Sequence, residues 1–266
     1  MFITFLSDFG LQDDFVGTCH GVMKRIAPEA QIIDITHGIP PRAILQGALV
    51  LANTIGYMPV GVHLAVVDPG VGGPRRALAL RDRDGRLYVG PDNGLLLPSA
   101  HRPGIDAVHE LANPEYALES ISRTFHGRDL FSPAAAHLAR GVPLEELGPP
   151  VDPESLVALD LPTPSLDRGV AVATMLYVDT FGNIALNLTR EDVEQLGIVP
   201  GTRLEVDVAG DRYYAVSART FADARAGDVI LYEDSYRNMS IAISRGNAGR
   251  ILHARPGAAV RITPLV

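Results

Sequence analysis

The 266-residue chain is 47% hydrophobic and 20% charged, a balance that sets aside disordered and fibrous classes and allows one large domain or two smaller ones. Its formal charge of -8 comes with no basic run and one lysine in the first hundred residues, which argues against a nucleic-acid surface and suits a cationic or zwitterionic small molecule. Cys19 is the only cysteine, so no internal disulfide or cysteine-rich metal site is expected, and no apolar stretch approaches membrane-spanning length; a cytoplasmic, soluble protein with no membrane partner follows.

The opening run Phe2-Ile3-Thr4-Phe5-Leu6 predicts a buried strand that releases "SDFG" at Ser7 to Gly10. The first polar residue beyond such a strand sits on the rim where open α/β sheets bind ligands, which makes Asp8 a candidate ligand group. A helix cap or a turn closure is the competing reading of Asp8. A kinase association fails, because "HGRD" lies downstream at His126 to Asp129 and neither a glycine-rich loop nor a strand lysine precedes it.

Phe15, Val16, Cys19, Val22, Met23 and Ile26 recur at helical spacing, "IIDIT" reads as a buried strand, and Ile44 to Ile55 repeat the helical face after Pro41. "VHLAVVD" is a third strand. Strand-helix-strand-helix-strand predicts a parallel sheet whose ligand rim is built from "SDFGLQDD", "DITHGIPP" and "DPGVGGPRR". The last of these resembles a phosphate loop but lacks the terminal Lys-Ser/Thr and feeds the strand "ALAL" rather than a helix. What remains is Asp68 at a strand end, glycines that permit close backbone approach, and Arg75 or Arg76 returning toward the carboxylate, either as a site or as a surface ion pair.

"ALAL" and "RLYVG" then predict a hairpin, and "DLFSPAAAHLAR" a short helix preceded by "TFHG", which places His126 at its start. A proline-bearing polar linker, Leu159 to Gly169, leads into short alternating runs ("VAVATMLYVD", "IALNL", "RLEVDV", "RYYAVS", "DVILYE", "NMSIAI", "AVRIT") in which only "REDVEQLG" reads as helical. These predict a small β-barrel or sandwich. "DTFGN", Asp179 to Asn183, is a tight turn, and turn chemistry alone accounts for both of its polar ends.

Taken in order, "SDFGLQDDFVG", "VVDPGVGGPRRA", "VGPDNGLL", "TFHGRDLFSPAAAHLA", "DTFGN" and "SRGNA" resemble the adenosine-forming S-adenosylmethionine hydrolase family, which is related to the fluorinase and chlorinase. The resemblance spans essentially the whole chain. It implies an α/β domain over 1–160 with a largely parallel central sheet, a smaller β-barrel domain over 170–266, and a homotrimer whose sites lie between one subunit's first domain and a neighbour's second. Carried over by position, it implies Asp68, Arg75 and His126 as catalytic residues, Asp8 as the acceptor for the ribose hydroxyls, and Asp13 facing the methionine ammonium. Asp179 and Asn183 correspond to groups facing the methionine end and the adenine; contacts around Ser235, Ser244 and Arg245 are not placed uniquely.

Attack at C5′ of a sulfonium expels neutral methionine, so no acid is needed at the leaving group, and no metal or other cofactor is expected. The work left is to orient a water, take its proton and exclude solvent, with Asp68 and His126 both eligible as base. Three other readings stand beside hydrolysis. A halogenase of the same fold is disfavoured because the related halogenases carry a tyrosine where Asp68 stands here, and a carboxylate repels a halide. A metal-dependent nucleotidase would use Asp8, Asp13 and Asp14, and a non-enzymatic sensor would bind the nucleoside without turnover.

Overall fold

A computed structural model describes residues 1–265. Its chain contacts divide it into two units, Met1–Leu159 and the chain from Asp160 onward. In the first unit, β1 (Phe2–Ser7), α1 (Phe15–Ile26), β2 (Gln31–Thr36), α2 (Ile44–Ile55) and β3 (Val62–Val66) are followed by β4 (Ala77–Asp82), β5 (Leu87–Pro91), α3 (Leu97–Ala100) and β6 (Ile105–Glu110). A π-helical turn, Gly127–Phe131, runs directly into α4 (Ser132–Ala139).

The six strands form one sheet in the order β2-β1-β3-β5-β4-β6. The first four are mutually parallel, and β4 runs antiparallel to both of its neighbours. Alternation along β1 sends Phe5 to one face and Leu6 to the other, because successive side chains in a strand point to opposite sides. On the first face Phe5 packs with Cys19 and Met23 of α1 and with Ala135 and Leu138 of α4. On the second, Leu6 packs with Ala48 and Leu51 of α2 and Leu95 ahead of α3. A sheet covered on both faces explains the near-continuous apolar runs of β1 and β3.

Two local expectations change. The "IIDIT" segment is not a buried strand: β2 lies at the sheet edge and is half-exposed throughout, which is why it tolerates Asp34. The expected helix at "DLFSPAAAHLAR" starts earlier, at Gly127, through the π turn. Cys19 is fully buried and burial pushes its thiol up to about 11, so it packs as an apolar residue.

The second unit contains β7 (Ser165–Asp167), β8 (Val170–Val178), β9 (Ile184–Thr189), α5 (Arg190–Glu194), β10 (Arg203–Val208), β11 (Asp211–Ser217), β12 (Val229–Glu233), β13 (Asn238–Ile243), α6 (Ala248–Ile251) and β14 (Ala259–Pro264). The strand order is β14-β10-β11-β12-β13-β9-β8-β7, and β14 also pairs with β8. That pairing closes seven strands into a barrel around Met175, Leu186, Leu204, Leu231, Ile241 and Ile262. Thr189 and Asp192 cap α5 reciprocally, which starts the helix at the head of "REDVEQLG". Among the described residues no helix is long and apolar enough to cross a membrane.

Candidate active site

Asp8 leaves β1 and Asp68 leaves β3, adjacent parallel strands, so both carboxylates emerge on one rim of the sheet. They line a cavity of about 280 Å³ together with Phe9, Phe15, Val71, Phe125 and His126. The loop after Asp68 is shaped by glycine. Gly72 has φ +75°, and a Cβ there would stand 2.3 Å from the Arg123 carbonyl oxygen. Only a residue without a side chain lets this loop close on the segment that carries His126.

The loop then turns Arg75 back onto Asp68. Arg75 Nε donates to both carboxylate oxygens at 3.1 and 3.0 Å, and Nη2 donates to Oδ2 at 2.6 Å. The same Nη2 donates to His126 Nδ1 at 2.8 Å. An arginine has no acceptor, so Nδ1 must be a lone pair and the neutral imidazole carries its proton on Nε2. Burial first, and then the Arg75 charge, hold His126 below its ordinary range, which agrees with that neutral state. Arg75 does not itself line the cavity; it stands behind Asp68 and His126, with its guanidinium 5.2 Å from the centre of the Phe131 ring.

Arg76, the other arginine of the motif, is taken by Asp92 of "VGPDNGLL" at 2.8 Å and by Ser155 at 3.0 Å. Asn93, beside it, donates to the Val67 carbonyl at 2.8 Å and so fixes the backbone immediately before Asp68. Asp8 Oδ2 accepts the Arg42 N–H at 3.0 Å. Burial raises the Asp8 pKa, the Arg42 N–H opposes this, and the nearby Asp68 charge adds to the rise. Asp8 is not the cap of α1, a position held by Asp14.

Asp13 is exposed ahead of α1 and is not among the cavity-lining residues. Asp179 and Asn183 belong to the second unit, in the β8–β9 turn, where Asp179 accepts N–H bonds from Phe181 and Asn183 and the Asn183 side-chain amide. That is turn chemistry. The same turn meets "SRGNA": Gly182 has φ +87°, a Cβ on it would fall 2.2 Å from Asn247 Cγ, and the Gly249 N–H donates to the Gly182 carbonyl at 2.9 Å. The sequence reading missed the aromatic lining. Phe9, Phe15 and Phe125 pack edge-on or tilted with centroids 5.0 to 6.0 Å apart. Each sits inside a motif already quoted, beside the polar residue that drew attention.

A family model for the SAM hydroxide adenosyltransferase N-terminal domain matches residues 3–148, and one for the C-terminal domain matches residues 173–261. The chain belongs to this family. It is 46% identical over 262 residues to the (R)-S-adenosyl-L-methionine hydrolase of Salinispora arenicola, covering 98% of this chain and 97% of that one. The (R)-S-adenosyl-L-methionine hydrolase of Thermus thermophilus is 38% identical, with 98% of both chains covered. The family is related to fluorinase: that of Nocardia brasiliensis is 28% identical over 98% of this chain and 96% of its own. A crystal structure of an uncharacterized conserved protein from Thermotoga maritima superposes with a TM-score of 0.90 at 34% identity, covering 98% of this chain and 99% of that one. The resemblance noted in the sequence and the α/β-plus-barrel fold it implied both hold.

Proposed function

We propose that this chain hydrolyses S-adenosyl-L-methionine by attack of water at C5′, releasing adenosine and L-methionine. The observation that carries the reading is one guanidinium holding Asp68 and His126 together at the cavity wall. Relatives 38% and 46% identical over nearly the full chain, both named (R)-S-adenosyl-L-methionine hydrolase, support it.

The chemistry balances with few groups. The oxygen–C5′ bond forms as the C5′–S bond breaks, and the electron pair of that bond stays on sulfur as a neutral thioether. The attacking oxygen becomes an alkyl oxonium so acidic that a carboxylate suffices as base. The single lone pair of neutral His126 is spent on Arg75, whereas the Asp68 carboxylate keeps lone pairs beyond its bonds to Arg75, so Asp68 accepts the proton and His126 Nε2–H orients the water. Arg75 positions both groups from behind, and Asp8 accepts from the ribose hydroxyls. Phe9, Phe15 and Phe125 give the cavity an aromatic wall that excludes solvent and suits a sulfonium. A departing group that is already cationic needs neither a metal nor another cofactor.

In this reading Asp13, Asp179 and Asn183 meet the methionine and adenine ends in a homotrimer, where a neighbour's second unit completes the site, and the enzyme works in the cytoplasm. The exposed Asp13 and the 79% exposed Phe181 beside Asp179 support a surface that a ligand or neighbour can cover. Light scattering should give a trimer, and a fully active monomer would overturn the shared site. A fluorinase-like reaction is disfavoured by Asp68, which offers a halide a negative charge where it needs donors. Turnover in water enriched in heavy oxygen decides the reaction: the adenosine should carry one heavy oxygen at its 5′ position, methionine should appear in equal amount, and molar chloride should give no chloroadenosine. Unlabelled adenosine would overturn the proposal.

A further inference from the structure

Outside the cavity, three ligating side chains from separate elements converge: His20 of α1, Asp34 of β2 and His37 just beyond β2. One ligand atom from each lies within 4.8 Å of the other two. His37 is 4% exposed and its Nε2 is buried with no hydrogen-bond partner. That nitrogen stands 3.1 Å from Asp34 Oδ1 without the alignment of a hydrogen bond. The same oxygen lies 2.9 Å from His20 Nε2. On its other side, His37 Nδ1 is 2.7 Å from Ser7 Oγ, which also accepts the Phe9 N–H at 3.3 Å. Ser7 Oγ has a lone pair left to accept a proton carried on His37 Nδ1, and in that tautomer Nε2 presents its lone pair on the Asp34 side. In that tautomer two acceptors stand 3.1 Å apart with the buried nitrogen unpartnered, and a cation between them satisfies both.

We propose that His20, Asp34 and His37 bind one divalent transition-metal ion of the zinc class. Two imidazoles and a carboxylate are a borderline-soft N₂O set, which suits zinc over calcium or magnesium. With metal–ligand bonds of about 2.0–2.2 Å, the edges of a tetrahedral site are about 3.3–3.6 Å long, so the present 2.9 and 3.1 Å spacings open by roughly half an ångström. His20 and Asp34 are partly exposed, with side chains 32% and 40% accessible, which gives an entry path and a fourth position for water. With a metal ion on Nε2, Ser7 is the outer partner that accepts the His37 Nδ1 proton. None of the three ligands lines the cavity, so the inference does not depend on the hydrolase reading. The site does touch the Asp8 loop, because the His37 carbonyl accepts the Gly10 N–H at 2.8 Å.

The test uses the untagged full chain, stripped of metal and titrated with zinc against a chromophoric chelator. One equivalent should bind tightly and raise the thermal midpoint. His20→Ala and Asp34→Asn, both at partly exposed positions, should each weaken binding by more than the roughly 10–100-fold typical of losing an outer-sphere partner, and should abolish the rise in midpoint. Cobalt in place of zinc should give the intense visible bands of a four-coordinate ion in the parent chain and lose them in both variants. Binding by the parent no tighter than by the His20→Ala/Asp34→Asn double variant would overturn the proposal.

Discussion

Arg75 Nη2 and His126 Nδ1 stand 2.8 Å apart, and since arginine only donates, the contact defines the imidazole as an acceptor on that side. Protonating His126 would set two donors face to face. Burial and the Arg75 charge place its pKa below the ordinary 6.5, so the neutral form that the contact requires persists at neutral pH. In a profile of kcat/KM against pH, the acid limb should therefore lie below 6.5. Histidine with a lowered folded-state pKa contributes stability that is fully present above its unfolded value and lost as pH falls through its folded one. An acid limb above 6.5 would contradict the neutral assignment.

Arg75→Lys tests whether one planar group must serve two partners. An ammonium cannot reproduce the two-point grip on Asp68 and reach His126 as well, so charge is conserved while geometry is lost. Turnover should fall by roughly 10²–10⁴-fold, the range for a mispositioned acid–base group, with a smaller change in substrate affinity. Asp68→Asn should fall in the same range. Single-turnover rates with saturating substrate separate the two effects.

Asp8→Ala removes an acceptor facing the cavity but leaves the water-handling groups intact. Charge-assisted hydrogen bonds to the ribose diol are worth about 1.5–3 kcal/mol each, so the loss should appear as weaker binding of substrate and of adenosine. Equal adenosine affinity in variant and parent, measured by calorimetry, would reduce Asp8 to its bond with the Arg42 N–H.

Gly72→Ala should be disproportionately harmful for a methyl group. The left-handed backbone alone costs about 1–2 kcal/mol, and the new Cβ meets a backbone oxygen that cannot step aside. The thermal midpoint should drop and turnover should drop with it, because the Asp68 loop and the His126 segment would part. Gly85→Ala, also at positive φ but with open space around its Cβ, is the control that should keep turnover.

His63 offers a separate acid-stability test. It is fully buried on β3, with Nδ1 2.9 Å from Thr4 Oγ1, and burial, then the Arg86 charge, lowers its pKa to about 3. The unfolded chain takes up a proton near 6.5 that the folded chain refuses, so His63 lowers stability progressively from about pH 6.5 toward 3. His63→Gln, which cannot titrate, should show a flatter dependence of the urea midpoint over that window. An unchanged slope would mean that the ring titrates normally.

Much of this was legible in the sequence because the deciding signals are local. The apolar runs of β1 and β3, the helical faces of α1 and α2 and the glycines after Asp68 each carry their own pattern, and Asp68, Arg75 and His126 stand in motifs at strand or helix ends. The residue pattern alone left Arg75 and Arg76 open and only the resemblance pointed to Arg75, since the difference turns on Asp92, which takes Arg76 across the loop. The exposure of β2 was hidden because "IIDIT" reads alike in a centre and an edge strand, and only sheet order decides. The His20–Asp34–His37 cluster was invisible for the same reason: its members come from a helix, a strand and a loop, and no spacing rule joins them.

The pairing of β14 with β8 places the first long strand of the barrel beside its last, with Ala259 opposite Thr174. Such a contact forms late: residue 264 must leave the ribosome before the ring can shut. The first unit carries its own sheet and core and can fold on the emerging chain, whereas the barrel must wait with the edges of β8 and β10 unpaired. During synthesis, this half is the one that needs protection from aggregation.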